Sequence, residues 1–267
     1  MAIRIAVFGA GGKVGKAIVR AVVESKEATL VAAIERPGFP YLAADAAQLA
    51  GLPAGGVSLA AERPAKGGAD VWIDFSAPAA TIENVEAAVA TSSAIVVGTT
   101  GLSTADRERI AAAAKRIPVV FAPNMSVGVN VLLKLVTEAA ATLGPGFDIE
   151  VVETHHRAKR DAPSGTALRL GEAAAEGLGR TFAAVARFER HGDVGPRTDS
   201  EIGMQTLRGG DVVGDHTVYF LGQGERIEIT HRASSRDTFA HGAVRAALWL
   251  AGKRPGLYDM RDVLGLK

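Results

Sequence analysis

Five basic or titratable side chains lie within six residues near the middle of this 267-residue chain. They are His155, His156, Arg157, Lys159 and Arg160. Like charges this close repel one another, and a ligand of opposite charge relieves the repulsion. The cluster therefore predicts an anion-binding site, with a basic loop that contacts only solvent as the alternative.

A predicted helix start follows the cluster. Ser164 is a typical N-cap residue, and Gly165 and Thr166 open a run, LRLGEAAAEGL, with helical periodicity. The first N–H groups of a helix have no partner within it and lie at the positive end of its dipole. These groups suit a carboxylate or a phosphate, so the helix start supports the predicted anion site.

A predicted strand over residues 149–154 precedes the cluster. Side chains alternate between the two faces of an extended chain, so the apolar Ile149 and Val151 share a side with His155, Arg157 and Lys159. On that basis His155 and Lys159 are expected to address one ligand. Adjacent histidines on a strand point to opposite faces, so the pattern predicts no metal site.

A glycine-rich sequence after the first apolar run predicts a dinucleotide site. Gly9, Gly12 and Gly15 follow the pattern G-x-x-G-x-x-G, where the first predicted strand meets the first predicted helix. Glu35, 20 residues after Gly15, is placed to accept hydrogen bonds from the adenosine ribose of NADH. Arg36 is placed to pair with the 2′-phosphate of NADPH, and its alternative role is a solvated loop residue. NADPH, NADH or both are therefore the expected cofactors.

Two later strand ends are expected at the same edge of the sheet, where small and polar residues would line the nicotinamide pocket. With Glu35 and Arg36, the expected cofactor contacts are Gly9, Ala10, Gly11, Gly12, Lys13, Val14, Gly98, Thr99, Thr100, Ala122, Pro123, Asn124 and Met125.

The elements that must position these residues alternate between apolar strands and helices in the first half of the chain. Strands are predicted at 3–8, 29–34, 71–75, 94–97 and 118–122, with helices at 13–25, 78–91 and 102–116. This order predicts a doubly wound parallel sheet of the Rossmann type. A helix at 127–143, a hairpin around Gly222-Gln223-Gly224 and a helix at 238–250 then predict an α+β region, followed by an irregular C-terminal tail.

Composition limits the kinds of partner. With 48% hydrophobic residues the chain can bury a core, and its net charge of +1 gives no global attraction to nucleic acid or to membranes. No cysteine is present, and neither a signal peptide nor an apolar run near 20 residues is evident. A cytoplasmic protein with a small anionic ligand, and without nucleic-acid or membrane partners, is expected.

The chain resembles the bacterial 4-hydroxy-tetrahydrodipicolinate reductase family, also called dihydrodipicolinate reductase, from end to end. The resemblance rests on VFGAGGKVG, Glu35-Arg36, the DFS at 74–76, VGTTG, APNMSVGVN, EVVETHHRAKRDAPSGTA, RGGDVVGDHTV, ITHRASSRDTFAHGAVRAALWL and GLYDMRDVL. It implies a Rossmann domain of residues 1–126 and 237–267, with an inserted α+β domain of residues 127–236 for substrate binding and tetramerisation. The implied reaction is the NAD(P)H-dependent reduction of a cyclic imine dicarboxylate to tetrahydrodipicolinate, with loss of water, in lysine biosynthesis via diaminopimelate.

The same resemblance implies roles for individual residues. His155 is the expected proton donor or acceptor and Lys159 the second proton donor, while His156, Gly165 and Thr166 bind the dicarboxylate. Arg236 and Phe239 are expected where the chain crosses between domains, closing over the nicotinamide.

Two other functions fit parts of the pattern. One is a Rossmann enzyme that oxidises an amino acid, such as an aspartate or diaminopimelate dehydrogenase. The other is a regulator that senses NAD(P)H without consuming it, which would have no use for His155 and Lys159 beside an anion-binding helix start.

Overall fold

A computed structural model describes residues 1–266, and the chain divides into two compact units, Met1–Val127 with Arg236–Lys267, and Gly128–Ser235. The strands are β1 Ile3–Phe8, β2 Ala28–Ile34, β3 Leu59–Ala60, β4 Val71–Asp74, β5 Ala94–Val97, β6 Pro118–Phe121, β7 Asp148–His155, β8 Ala186–Arg187, β9 Ile202–Arg208, β10 Gly214–Leu221, β11 Arg226–Ala233 and β12 Gly256–Tyr258. The helices are α1 Lys13–Glu24, α2 Ala46–Leu49, α3 Pro78–Thr91, α4 Thr104–Ala113, α5 Val127–Leu143, α6 Gly165–Gly177, α7 Phe182–Val185, α8 Asp237–Leu250 and α9 Met260–Leu264, with a 3₁₀ turn at Gly144–Gly146.

The first unit is built on a parallel sheet in the order β12-β6-β5-β4-β1-β2-β3. Alternate residues of β1 enter two separate cores: Ile5 and Val7 pack with α1 and α8, whereas Ala6 and Phe8 pack with α3 and α4. Helices therefore cover both faces, which is why the strands are apolar throughout. The predicted Rossmann-type, doubly wound fold is confirmed.

The sheet brings the motif residues to one edge. Phe8, the last residue of β1, lies opposite Ile34 of β2 and Asp74 of β4. Asp74 lies opposite Val97 of β5, and Val97 opposite Phe121 of β6. The glycine loop, Glu35, the DFS sequence, the sequence after β5 and the sequence after β6 all begin at this carboxyl edge, where doubly wound sheets bind their ligands.

Most element boundaries follow the sequence prediction to within a few residues. The predicted helix at 102–116 is shorter: a reciprocal capping box of Ser103 and Asp106 starts α4 at Thr104, and the helix ends at Ala113. The prediction of an irregular C-terminal tail is wrong, since β12 adds to the sheet beside β6 and α9 follows it. A three-residue strand has no periodicity to read, so its pairing with an existing edge decides its conformation.

The second unit is a mixed sheet in the order β11-β10-β7-β9-β8. The predicted hairpin is confirmed as β10 and β11, which pair antiparallel over eight residues each. The central strand β7 pairs antiparallel with β10 and parallel with β9. The α5 and α6 helices pack on one face, and there β7 presents Ile149, Val151, Glu153 and His155, all of them buried.

The α5 helix corrects the expectation that no apolar run approaches 20 residues. Together with the following 3₁₀ turn it forms a 20-residue segment, Val127–Gly146, whose length and mean hydropathy of 1.4 are sufficient to cross a membrane. Two other features argue for a core helix: Leu132, Val136 and Ala140 pack in the core of the second unit, and Lys134 forms an ion pair with Glu138 on the exposed side. Hydrocarbon would not accommodate such a pair cheaply.

Candidate active site

The glycine loop after β1 has a shape that only glycine permits. Gly9 adopts a φ of +73°, and a Cβ on Gly15 would lie 1.9 Å from the carbonyl oxygen of Gly9. The first turn of α1 therefore rests directly against the loop, with Gly12 as the helix N-cap. This tight packing of a glycine loop against a helix start is the arrangement that dinucleotide-binding folds use for a pyrophosphate, so the loop fits a dinucleotide.

Glu35 is held beside this loop. One of its carboxylate oxygens accepts a hydrogen bond from the Gly11 N–H at 3.1 Å, and the other accepts from the Arg36 N–H at 3.0 Å. A Cβ on Gly11 would collide with the Phe39 ring and approach Glu35. Glu35 and Gly11 thus form one contiguous surface, whereas the Arg36 side chain extends into solvent.

The sequences after β5 and β6 supply the rest of the edge. A Cβ on Gly98 would lie 2.1 Å from the Phe75 ring, so this glycine permits close contact between adjacent strand ends. Thr99 is buried and its hydroxyl accepts a hydrogen bond from Thr81 at 2.8 Å, whereas Thr100 is exposed. After β6, Ala122 and Met125 are buried and Pro123 and Asn124 are more open.

Beneath Thr99 lies a polar network that the sequence analysis did not assign. The fully buried Asp74 carboxylate accepts hydrogen bonds from the Ser76 N–H at 2.9 Å and the Ser76 hydroxyl at 2.6 Å. Burial raises the pKa of Asp74, although the hydrogen bonds from Ser76 counteract this. A charged residue at the end of an otherwise apolar strand is the sequence signal that marks this position.

In the second unit, β7 ends at His155, and the rest of the basic cluster lies in a turn. The Lys159 N–H donates to the His156 carbonyl at 3.1 Å. The predicted face-sharing is therefore correct for Ile149, Val151 and His155 but wrong for Arg157 and Lys159, because the extended conformation that it requires stops at the cluster. The positive charge of Lys159 nevertheless contributes to lowering the pKa of His155.

The protein itself supplies part of the compensation for the cluster's charge. The Lys159 ammonium group is 2.8 and 2.9 Å from the carboxylate oxygens of Asp161. The Nδ1 atom of His155 is 2.5 Å from the carboxylate of Glu153, which is fully buried and receives two hydrogen bonds from Arg208. Glu153 is not among the residues predicted from the sequence, although the alternation of β7 places it on the same apolar face as His155.

The predicted helix start is confirmed: α6 begins at Gly165, and the Ser164 hydroxyl accepts a hydrogen bond from the Ala167 N–H at 3.2 Å. Gly165 is exposed, and a Cβ there would meet nothing within 4 Å. The Ser164 hydroxyl also lies 3.2 Å from Nε2 of His216, whose ring packs edge-on against that of His155.

Three predicted assignments have no further support from these contacts. His156 is half-buried directly after β7. Arg236 is exposed and precedes α8, and Phe239 is half-buried within that helix, so their part in domain closure stays a prediction. Among residues 1–266, no group of three or more potential ligands is arranged to hold a metal ion.

The parallel sheet, its glycine loop and the acidic residue beside that loop define a Rossmann-type domain that fits a dinucleotide. Models of the two halves of a known family match nearly the whole chain: dihydrodipicolinate reductase, N-terminus, over residues 3–125, and dihydrodipicolinate reductase, C-terminus, over residues 128–264. The chain belongs to the dihydrodipicolinate reductase family. This membership rules out the amino-acid dehydrogenase and sensor alternatives.

Individual relatives agree with this family. The chain is 52% identical to a 4-hydroxy-tetrahydrodipicolinate reductase of Geotalea daltonii, covering 99% of this chain and 100% of that protein. It is 53% identical to the enzyme of the same name from Geobacter metallireducens, again over 99% and 100% of the two chains.

Solved structures support the fold. A dipicolinate-bound dihydrodipicolinate reductase from Paenisporosarcina sp. TG-14 superposes with a TM-score of 0.76 at 24% identity, covering 97% of this chain and 98% of that one. GenD2 from gentamicin A biosynthesis, in complex with NAD, superposes with a TM-score of 0.62 at 14% identity, covering 99% and 91%.

Proposed function

We propose that this protein reduces 4-hydroxy-tetrahydrodipicolinate to tetrahydrodipicolinate with NAD(P)H and loss of water, in lysine biosynthesis via diaminopimelate. The observation that carries the proposal is the family match over residues 3–125 and 128–264, together with relatives of this name at 52% identity over 99% of the chain. The residue roles below are part of the same proposal.

The carboxyl edge of the first sheet is the cofactor site. NAD(P)H, when bound, supplies the hydride. The loop Gly9–Val14 and the N-terminus of α1 bind the pyrophosphate, Glu35 binds the adenosine ribose, and Arg36 pairs with the 2′-phosphate of NADPH. The exposure of Gly12 and Lys13 at the start of α1 supports this assignment, because it leaves the N-terminus of the helix accessible to an anion. The residues following β5 and β6 line the nicotinamide end.

The basic cluster and the start of α6 are the dicarboxylate site. The substrate carries two carboxylates, and the Paenisporosarcina relative has the related dicarboxylate dipicolinate bound. The N-terminal residues Gly165 and Thr166 bind the carboxylates through N–H donors at the positive end of the helix, and His156 binds them through its imidazole. The exposed position of Gly165, with no heavy atom near its missing Cβ, supports access for a ligand there.

His155 and Lys159 carry out the proton transfer to the substrate. Hydride addition to the conjugated ring leaves electron density that a proton must neutralise, and a group with a pKa near the working pH transfers protons best. Burial lowers the pKa of His155 below its usual 6.5, against the opposing effect of Glu153. A dianionic substrate raises that pKa again, because negative charge favours the imidazolium. The bound substrate therefore favours the protonated form of His155, and Lys159 supplies a second positive charge and a second donor.

A cytoplasmic homotetramer completes the proposal. The face of the second sheet opposite α5 and α6 carries Val152, Thr154, Tyr219 and Leu221, which are half-buried or exposed within the unit. Within the part of the chain that the structure describes, neither α5 nor α6 covers this face. A sheet surface of mixed apolar and polar character suits association with further copies of the chain.

The test is the loss of nicotinamide absorbance when the protein meets NADPH, or in parallel NADH, with substrate generated from pyruvate and aspartate semialdehyde by the preceding synthase. Synthase-dependent oxidation supports the reductase, and cofactor binding without oxidation refutes it.

His155→Gln and Lys159→Met should each lower kcat by about 10²-fold or more, the typical contribution of general acid–base catalysis. The matched controls are His191→Gln and Lys66→Met, which replace exposed loop residues. Near wild-type turnover of the two test variants at saturating substrate would refute the proton-transfer roles.

A further inference from the structure

We propose that Glu153, held by Arg208, is a positioning residue for His155. It fixes the ring of His155 through Nδ1 and so leaves Nε2 as the reacting nitrogen. It also connects that ring to the start of α6. The inference rests on the proposed role of His155. It adds two residues, Glu153 and Arg208, that act through His155 and need not contact the substrate.

The carboxylate of Glu153 is fully buried, and both of its oxygens are occupied by protein groups. Arg208 donates to Oε2 at 2.8 Å and to Oε1 at 2.9 Å, in a two-point contact that fixes the carboxylate plane. Oε1 also accepts from the Ser164 N–H at 3.0 Å and the Thr206 hydroxyl at 3.3 Å. A buried carboxylate with four such donors is ionised and immobile, so it can act as a fixed anchor.

The anchor holds one nitrogen of His155. Glu153 Oε2 lies 2.5 Å from Nδ1, and an ionised carboxylate can only accept, so Nδ1 carries the hydrogen. In the neutral ring Nε2 is then the lone-pair nitrogen that takes up a proton. A Cβ on Gly214 would lie 3.0 Å from Nε2, so the absence of a side chain at Gly214 preserves space beside this atom.

The same carboxylate holds the helix start. Ser164 donates its N–H to Glu153 while its hydroxyl accepts from Ala167 and contacts His216. Glu153 therefore connects the proton-transfer ring to the N-cap of α6 through two direct hydrogen bonds. Because substrate carboxylates bind at that helix start in the proposed function, the pair fixes the distance between the anion site and the proton donor.

The charges around His155 act in opposite directions, which gives the proposal a signed test. Glu153 on β7 raises the pKa of His155, whereas Arg208 on β9, Lys159 in the turn and burial lower it. The ring of His216 on β10, with its own pKa lowered to about 4, packs edge-on as a neutral group at neutral pH. Removing the carboxylate should therefore lower the His155 pKa, and removing the guanidinium should raise it.

The experiment compares Glu153→Gln and Arg208→Gln in the full-length protein. Histidine imidazoles labelled with ¹⁵N report the His155 pKa and tautomer without turnover, and the pH profile of kcat/KM reports the same group during catalysis. Glu153→Gln should lower the pKa by about one unit or more, the size expected from losing a charge in direct contact, and should mix the two tautomers. Arg208→Gln should shift the pKa upward.

The matched control is Glu150→Gln, on the same strand. Glu150 also accepts hydrogen bonds from two arginines, Arg190 and Arg197, and within residues 1–266 it has no hydrogen bond to His155. This variant should leave the tautomer and the pH profile unchanged. Unchanged His155 behaviour in both test variants, or shifts of the same sign in both, would overturn the proposal, because general loosening of the unit would not produce opposite shifts.

If Glu153→Gln does not fold, the double variant Glu153→Gln with Arg208→Gln removes both buried charges together and avoids an unpaired arginine. Its His155 pKa should still fall, because the lost contact with Glu153 is the direct one. Failure of the proposed function gives a different result: His155→Gln would keep its turnover, while the NMR shifts in the Glu153 and Arg208 variants would persist.

Discussion

His216 should make the second unit sensitive to acid, and the structure gives the size of the effect. The residue is 4% exposed, and burial lowers its pKa from 6.5 to about 4. Its Nε2 lies 3.2 Å from the Ser164 hydroxyl, which also accepts the hydrogen bond from Ala167 and so has its proton available for His216. The folded protein therefore favours the neutral ring.

The direction in which stability changes with pH follows from proton binding in the folded and unfolded states. Between about pH 6.5 and about pH 4 the unfolded chain binds a proton at this histidine and the folded protein does not, so stability falls as the pH decreases. With the two pKa values above, the free energy of unfolding drops by about 2 kcal/mol between about pH 7.5 and about pH 5. Above pH 7.5 the contribution of His216 to pH dependence is close to zero.

The perturbation is His216→Asn, which removes the titrating group and keeps a polar side chain. The assay is urea unfolding at both pH values, at equal subunit concentration because association contributes to apparent stability. Far-UV circular dichroism is the better probe, since both tryptophans, Trp72 and Trp249, lie in the other unit. The compared quantity is the loss of stability between the two pH values, which cancels any constant cost of the substitution.

The variant should lose about 2 kcal/mol less than the wild type on acidification. His191→Asn, which replaces an exposed histidine, should match the wild type. An equal loss in His216→Asn and the wild type would show that His216 titrates alike in the folded and unfolded states, and the argument from burial would then be wrong.

Two further predictions concern the first unit. Gly15→Ala should abolish cofactor binding and lower stability, because its Cβ would lie 1.9 Å from the Gly9 carbonyl oxygen. Calorimetric NADPH titration measures the binding, and thermal unfolding measures the stability. The control Gly146→Ala, with open space at its Cβ, should change neither. Arg36→Ala should weaken NADPH binding by about tenfold, the equivalent of about 1.4 kcal/mol, while NADH binding stays unchanged. Equal losses for both cofactors would show that Arg36 does not contact the 2′-phosphate.

Features that depend on single residues and short spacings could be predicted from the sequence of this protein. Apolar runs that alternate with helical periodicity predicted the parallel sheet, and the glycines after β1 predicted the tight loop that Gly9 and Gly15 form. Ser164 before Gly165 predicted the start of α6 correctly, because an N-cap interaction spans only three residues and does not depend on the rest of the fold.

Other features depend on partners far away in the chain. β12 is a strand because β6 offers an unpaired edge, and β9 lies parallel to β7 although 46 residues separate the two strands. Glu153 lies two residues before His155, yet its role depends on Arg208, 55 residues further along. The sequence determined which groups can carry charge, turn the chain or begin a helix, since these are properties of single residues and short spacings. Only the tertiary structure decided which charges are buried together, because burial and pairing arise when distant strands meet.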